Sequence, residues 1–286
     1  MAAPPAPPDA APPCTCRACL IAAAAARRRR QARTRLVAMI DVDLLVSATL
    51  ATWMESKDNV DYIQRECAAK RVFVLPAFET PRSPDAAAAH AVAGQAVAAD
   101  KRGLKEMVDK KLVHQFALYL FREGHNMTEY ARWFATGKPY QVAWTQDYEP
   151  WFIVDRLYNP FYDSVFRGYG WNKVTHVNNV NGMGFTFMVH PNAWIVHRQH
   201  DRSAADKMYQ SGKKEYEAAA KADPKKGEES TSLAGMTHRF RNRVLARLAA
   251  GAYAPAVDAG VGGCITELAW WRRDGRGGPA YDDDYD

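Results

Sequence analysis

Residues Leu36-Val37-Ala38-Met39-Ile40 form a short, continuous apolar run that stops abruptly at Asp41-Val42-Asp43. Such a run predicts a strand buried on both faces, as in an α/β sheet flanked by helices. Carboxylates are costly to bury without partners, so two of them at the carboxyl end of a core strand predict a cleft. In open α/β sheets, ligands bind outside the carboxyl ends of the strands. Asp41 and Asp43 can there offer hard oxygen ligands to a divalent cation, Mn²⁺ or Mg²⁺. Taken alone, the DxD spacing is a short pattern that also occurs in ordinary solvated turns.

The remaining pattern fits a mixed α/β chain. Val72 to Phe78 reads as a second strand, broken by Pro76. The Ala-rich stretch from Pro81 to Asp100 reads as an insertion, a surface loop or loose helix. From Leu104, apolar residues Met107, Val108, Leu112, Val113, Phe116 and Leu120 recur at helical spacing, with Gly124 as a stop. Phe152 to Val154, Phe185 to Val189 and Ala193 to Val196 read as short strands, the last two around a Pro191-Asn192 turn. Beyond Arg202 the chain is polar and helical, with a break at Pro224 and Gly227, a restart near Met236 and an end near Gly251. Residues 1–33 are low-complexity and Ala/Arg-rich, with helical propensity from 20 to 33. Residues 34–250 hold the domain, and 251–286 read as a tail.

Composition supports one sizeable core: 48% of the residues are hydrophobic, with 8 Trp, 13 Tyr and 11 Phe. The net charge of +6 comes largely from Arg27 to Arg30 and from Lys207 to Arg247. With no nucleic-acid module beside it, this charge reads as basic ends and a solvated helix face, and no nucleic-acid partner is expected. Cys14, Cys16 and Cys19 have a zinc-like spacing, but they lie in Pro/Ala low complexity with no fourth ligand nearby. The longest N-terminal apolar run, Leu20 to Ala26, is too short to span a bilayer, and no signal peptide is recognisable.

Two further stretches carry polar chemistry. His197-Arg198-Gln199-His200 directly follows an apolar strand, and an imidazole there can complete the coordination of a DxD-bound metal. Each histidine is equally at home as a core or surface side chain. Gly168-Tyr169-Gly170-Trp171-Asn172-Lys173 combines glycines that permit close backbone approach with a flat Trp face suited to a sugar ring. Asn172 and Lys173 add donors for hydroxyl, carboxylate or phosphate oxygens. The same block also reads as a turn before a helix that starts near Asn172.

In order along the chain stand Asp41-Val42-Asp43-Leu44-Leu45, Val74-Leu75-Pro76-Ala77-Phe78-Glu79, His125-Asn126-Met127-Thr128-Glu129-Tyr130 with Trp133, Tyr148-Glu149-Pro150, the Gly168 to Lys173 block, and Pro191-Asn192-Ala193-Trp194-Ile195-Val196-His197. This ordered set resembles the LARGE-like glycosyltransferase family 49, over roughly Leu36 to Leu248. The resemblance implies a GT-A fold, a mixed sheet flanked by helices. It also implies a UDP-sugar donor, Mn²⁺, and inverting transfer of glucuronic acid to a glycan or glycoprotein acceptor in the Golgi. By position, Asp41 and Asp43 become the DxD pair, His197 the third metal ligand and His200 its runner-up. Trp171, Asn172 and Lys173 fall to the donor sugar. Asn126-Met127-Thr128 is a glycosylation sequon that belongs to a family block.

The chain also departs from that pattern. Only 40 residues precede Asp41, where a GT-A domain carries a βαβ region that binds uridine. The nucleotide-binding part is therefore expected to be incomplete, any membrane anchor to belong to a longer protein, and the chain to bind UDP weakly. An inverting transferase needs a base for the acceptor hydroxyl, yet the Trp171 to Lys173 block has no acid. Glu149 and Asp163 are the nearest candidates, and Glu149 is preferred because it lies in a matching block. The competing reading is a catalytically inactive or fragmentary homologue that binds a glycan or a partner.

Overall fold

The computed structural model describes residues 34–166 and 168–257. The helix expected over 20–33, the Cys14-Cys16-Cys19 cluster and positions 258–286 of the expected tail lie outside the described residues.

Two mixed sheets share the core. The strands of the first are β1 (Leu36–Ala38), β3 (Arg71–Leu75), β6 (Tyr140–Val142), β7 (Trp151–Asp155) and β8 (Thr186–Val189), in the order β1-β7-β3-β8-β6. Only β3 and β8 run parallel; β7 is antiparallel to both β1 and β3, and β6 to β8. The second sheet contains β2 (Leu44–Val46), β4 (Ala77–Glu79), β5 (His114–Gln115) and β9 (Ile195–His197), in the order β2-β9-β4-β5. Here β4 and β9 are parallel, flanked by antiparallel β5 and β2. Pro76 lacks an N–H and so interrupts the run from β3 into β4. Its carbonyl still accepts the Ile195 N–H at 2.9 Å, which keeps the two parallel pairs in step across the break.

Side chains on β3 alternate between two cores, as a strand's two-residue period requires. Val72 and Val74 join a cluster with Phe78, Trp133, Phe187 and Trp194, while Phe73 and Leu75 join one with Ile63, Trp151 and Ile195. Helices cover both faces. After α1 (Ala48–Met54), α2 (Lys57–Ala68) contributes Ile63 and Cys67 to the second cluster. The first cluster receives Ala93 and Ala96 from α3 (Ala86–Ala98), Leu104 from α4 (Lys101–Asp109), Trp133 from α5 (Tyr130–Ala135), and Val177 and Val180 from α6 (Asn172–Gly182). The polar helices α7 (Ala204–Ala222), α8 (Pro224–Glu229) and α9 (Leu233–Ala249) pack together, and α9 also packs on α6. This is the mixed α/β architecture, sheets flanked by helices, that the family resemblance implied. No helix among the described residues is long and apolar enough to cross a membrane.

Three expectations need correction. The run from Leu36 is not a central strand. It forms the edge of its sheet, with Leu36 and Val37 half-buried and Ala38 exposed. The stretch from Pro81 to Asp100 is not a loose insertion. Its helix α3 is capped by Asp85, whose side chain accepts the Ala88 N–H, and its alanines are small enough to pack closely on the sheet. The helix expected from Leu104 to Leu120 ends at Asp109. Lys111 turns the chain at φ 59°, and the Phe116 N–H then bonds to the Ala77 carbonyl, drawing the segment into the second sheet.

Candidate metal centre and active site

Asp41 and Asp43 lie in a turn rather than at the end of a strand. The Leu44 N–H donates to the Asp41 carbonyl at 3.1 Å, and β2 begins at Leu44. Antiparallel pairing of β2 with β9 sets Leu44 opposite His197, and the Arg198 N–H bonds to the Asp43 carbonyl at 2.8 Å. This pairing brings the Asp43 side chain against His197, the last residue of β9, and His200 just beyond it. Asp43 Oδ2 lies 3.5 Å from His197 Nε2 and 2.9 Å from His200 Nε2. Ligand atoms of all three residues fall within 4.8 Å of one another.

A cation with bonds of about 2.0–2.2 Å accommodates ligand atoms up to about 4.4 Å apart, so a small inward movement would complete the set. One carboxylate and two imidazoles fit a divalent transition metal better than Mg²⁺, whose preferred donors are all oxygen. Hydrogen bonding to His197 is the main influence holding the Asp43 carboxyl below its ordinary range; partial burial opposes it and the histidine charges assist. His200 is as well placed as His197. The loop that carries it is pinned because Gln199 exchanges two hydrogen bonds with the Ser83 backbone, at 2.8 and 2.6 Å, and its carbonyl meets His90 of α3 at 2.7 Å. The segment read from sequence as an insertion therefore supports the site.

Asp41 does not join this group. Its Oδ2 accepts the Trp151 indole N–H at 3.2 Å. Trp151, the first residue of β7, organises the neighbouring wall. His125 stacks on it at 5.5 Å and 10°, and Lys173 Nζ sits 3.2 Å from its ring centre. Phe116 ties this wall to the metal group, meeting His125, Trp151 and His197 edge-on at 5.1, 5.2 and 5.3 Å. Glu149 completes the wall, with Oε1 3.5 Å from His125 Nε2. Burial pushes Glu149 upward, but the Lys173 ammonium and the His125 contact more than offset it and hold the carboxyl below its ordinary range. Burial lowers the His125 imidazole, and Glu149 recovers only part of that loss.

The Gly168 to Lys173 block divides. Lys173 faces the site wall, while Trp171 turns to the C-terminal helices, with the Arg241 guanidinium 4.2 Å from its ring and His238 edge-on at 5.0 Å. Asn172 serves the helix start, its Oδ1 accepting the Lys173 N–H at 2.8 Å. Tyr169 is the exposed aromatic of the block, between Gly168 and Gly170 at φ 95° and 105°. A Cβ on Gly170 would lie 2.5 Å from the Tyr209 ring, so this turn requires glycine. Burial raises the Tyr169 phenol, and the negative charges of Asp206, Glu149 and Asp41 raise it further against the opposing Arg202 charge. Asp163 stands apart, its carboxylate accepting the Tyr253 hydroxyl at 2.9 Å and the Val165 N–H at 3.0 Å.

Sequence reasoning passed over Phe116, Trp151 and Tyr169. Trp151 was within reach, since it directly follows Glu149-Pro150. Phe116 fits a helical period and carries no other signal.

The sequence model of the family described as "Glycosyl-transferase for dystroglycan" matches residues 26–225. Among similar proteins, the xylosyl- and glucuronyltransferase LARGE2 of Mus musculus is 31% identical over 177 residues, 59% of this chain and 23% of the relative. LARGE1 of Danio rerio is 30% identical over 192 residues, 67% of this chain and 23% of the relative. LARGE1 of Homo sapiens is 30% identical over 181 residues, 63% of this chain and 22% of the relative. The chain thus matches under a quarter of the length of these relatives. With the family's sequence model matched across most of the chain and the mixed α/β fold in place, this chain belongs to glycosyltransferase family 49.

Proposed function

We propose that the chain carries a Mn²⁺-dependent, inverting sugar-transfer site of GT-A type, which uses a UDP-sugar donor and a glycan or glycoprotein acceptor. The observation that carries this reading is the convergence of Asp43, His197 and His200 within 4.8 Å. The relatives' description as xylosyl- and glucuronyltransferases makes UDP-glucuronic acid the first donor and UDP-xylose the second. Their family assignment favours the Golgi as the site of action.

Asp43, His197 and His200 would hold the cation, with Asp41 beside them. A bound Mn²⁺ supplies charge neutralisation for the departing UDP. Lys173 adds a fixed positive charge on the Trp151 face, suited to an anionic group of the donor. Tyr169 offers its ring to a sugar face. Glu149, ionised and with 21% of its side chain exposed, is the candidate to accept the acceptor hydroxyl proton.

The test is transfer by the purified chain from UDP-glucuronic acid or UDP-xylose to a nitrophenyl β-xyloside, read by mass spectrometry. The expected result is product, even if slow, that requires Mn²⁺ and disappears with Asp43→Asn. Mn²⁺-dependent UDP binding with no product from either donor would instead support a homologue that binds without turnover.

A further inference from the structure

Of the block from His125 to Tyr130 only His125 enters the site wall described above, yet the whole block is docked on the segment that carries Glu149. The Glu149 N–H donates to the Gly124 carbonyl at 2.9 Å. Four residues on, the Thr128 hydroxyl meets the Tyr148 hydroxyl at 3.1 Å, both buried. Gly124 has no room for a side chain: a Cβ would lie 2.5 Å from the Phe121 ring and 3.1 Å from Glu149 Cγ. Two short 3₁₀ turns, Arg122–Gly124 and Asn126–Thr128, thus hold His125 between them and press it towards Glu149. The sequon threonine, Thr128, is consumed by this packing.

His125 itself is only 3% exposed, and its Nε2 has no hydrogen-bond partner within normal geometry while lying 3.5 Å from Glu149 Oε1. Its ring is fixed by stacking on Trp151 and by the edge of Phe116. A buried polar nitrogen with one neighbour, a partly exposed carboxylate, is an expensive arrangement unless that contact is used.

We propose that His125 is a positioning residue for the acceptor-side base: its Nε2 fixes one oxygen of Glu149 and leaves the other facing the cleft. The proposal rests on the transferase reading above. In the step it serves, the acceptor oxygen forms its bond to the sugar C1 while the bond from C1 to the UDP oxygen breaks. The hydroxyl proton passes to Glu149, and the electron pair of the broken bond leaves with UDP. The titratable groups that act on the Glu149 carboxyl are Lys173 and His125, and the Glu149 charge in turn raises the Tyr169 phenol. Loss of the His125 contact leaves the Lys173 ammonium alone to oppose burial, so Glu149 shifts upward and takes a proton at higher pH.

The experiment compares wild type, His125→Phe, His125→Gln and Glu149→Gln in the same transfer assay, across pH. Phe keeps an aromatic ring against Trp151 and Phe116, while Gln keeps an N–H donor. We expect Glu149→Gln to lose transfer by about 10²-fold or more, the scale of a general base, with Mn²⁺ and UDP binding retained. His125→Phe should lower kcat at unchanged acceptor KM and move the acid limb of the profile to higher pH, and His125→Gln should recover part of both. If Glu149→Gln keeps transfer, the base assignment fails and the proposal with it. If Glu149→Gln is inactive but His125→Phe, or His125→Leu should the Phe variant not fold, has wild-type kcat and pH profile, His125 is packing only. In that case the proposal is overturned while the base assignment stands.

Discussion

The indole N–H of Trp151 donates to Oδ2 of Asp41 at 3.2 Å, linking the first aspartate of the DxD turn to the first residue of β7. This bond engages one of the two carboxylate oxygens of Asp41. On the proposed reading, in which Asp41 stands beside the cation, the indole orients a carboxylate next to the metal, and removing such supporting contacts typically weakens metal binding about 10–100-fold. Trp151→Phe keeps an aromatic ring for His125 and Lys173 but loses the donor. We expect its Mn²⁺ dissociation constant, measured from free Mn²⁺ by electron paramagnetic resonance, to rise about tenfold or more. An unchanged constant would mean that Asp41 is oriented by other means.

Trp171 is expected to report on stability rather than on donor binding. Its ring is held by Arg241, which also pairs with Asp147 at 3.0 Å, and by His238. Truncating a large, partly buried aromatic costs about 2–3 kcal/mol, somewhat less than at a fully buried site. Trp171→Ala should therefore lower the urea midpoint while UDP affinity in Mn²⁺ stays within about twofold of wild type, a free-energy change under about 0.5 kcal/mol. A variant of full stability that has lost UDP affinity would return Trp171 to the donor site.

His190 makes the fold sensitive to acid. Burial, and then the Lys101 ammonium, push its imidazole down to about 3, against about 6.5 when free. The folded chain keeps His190 neutral, with Nδ1 accepting the Asn192 N–H at 3.2 Å, while the unfolded chain takes up a proton below about pH 6.5. This contribution to stability is thus complete above about pH 6.5 and declines as pH falls towards the folded value, by about 2 kcal/mol between pH 6.5 and 5. Urea unfolding at pH 7 and pH 5 should show a smaller acid loss for His190→Gln than for wild type. Equal losses would contradict the assignment.

Cys67 should be inert in the folded state. Burial pushes its thiol up to about 12, and it lies within the second core cluster. Iodoacetamide at pH 8, followed by peptide mass spectrometry, should label Cys67 only when urea is present, because the thiolate is the reactive form. Native labelling at the rate of a free thiol would show that α2 opens readily from the sheet.

The legible parts of the chain were those written locally. The apolar run before Asp41, the Pro76 break and the Pro191-Asn192 turn each announce themselves within a few residues, and each marks a strand boundary. That β1 is an edge strand depends on its pairing with β7, more than a hundred residues away. The packing of α3 was hidden because an alanine helix has almost no hydrophobic contrast between its faces. Phe116 kept a helical period by coincidence of spacing, and its hydrogen bond to Ala77 removed it from any helix. At the site, Asp43 and His197 could be anticipated because each flanks a short strand. The contacts of Asp41 with Trp151 and of His125 with Glu149 could not, because they join segments distant in sequence. Trp171 suits a sugar chemically, but its left-handed conformation and the charge of Arg241 draw it to the C-terminal helices, and Tyr169 is the exposed aromatic of the block.

The central claim is that Asp43, His197 and His200 hold one divalent cation. Crystals of the chain grown with MnCl₂ and UDP, measured at the manganese absorption edge, test it most directly. The account predicts an anomalous peak within about 2.0–2.4 Å of Asp43 Oδ, His197 Nε2 and His200 Nε2, the range of metal–nitrogen and metal–oxygen bonds. A peak at a different set of ligands, or ordered UDP with no peak beside Asp43, would contradict it.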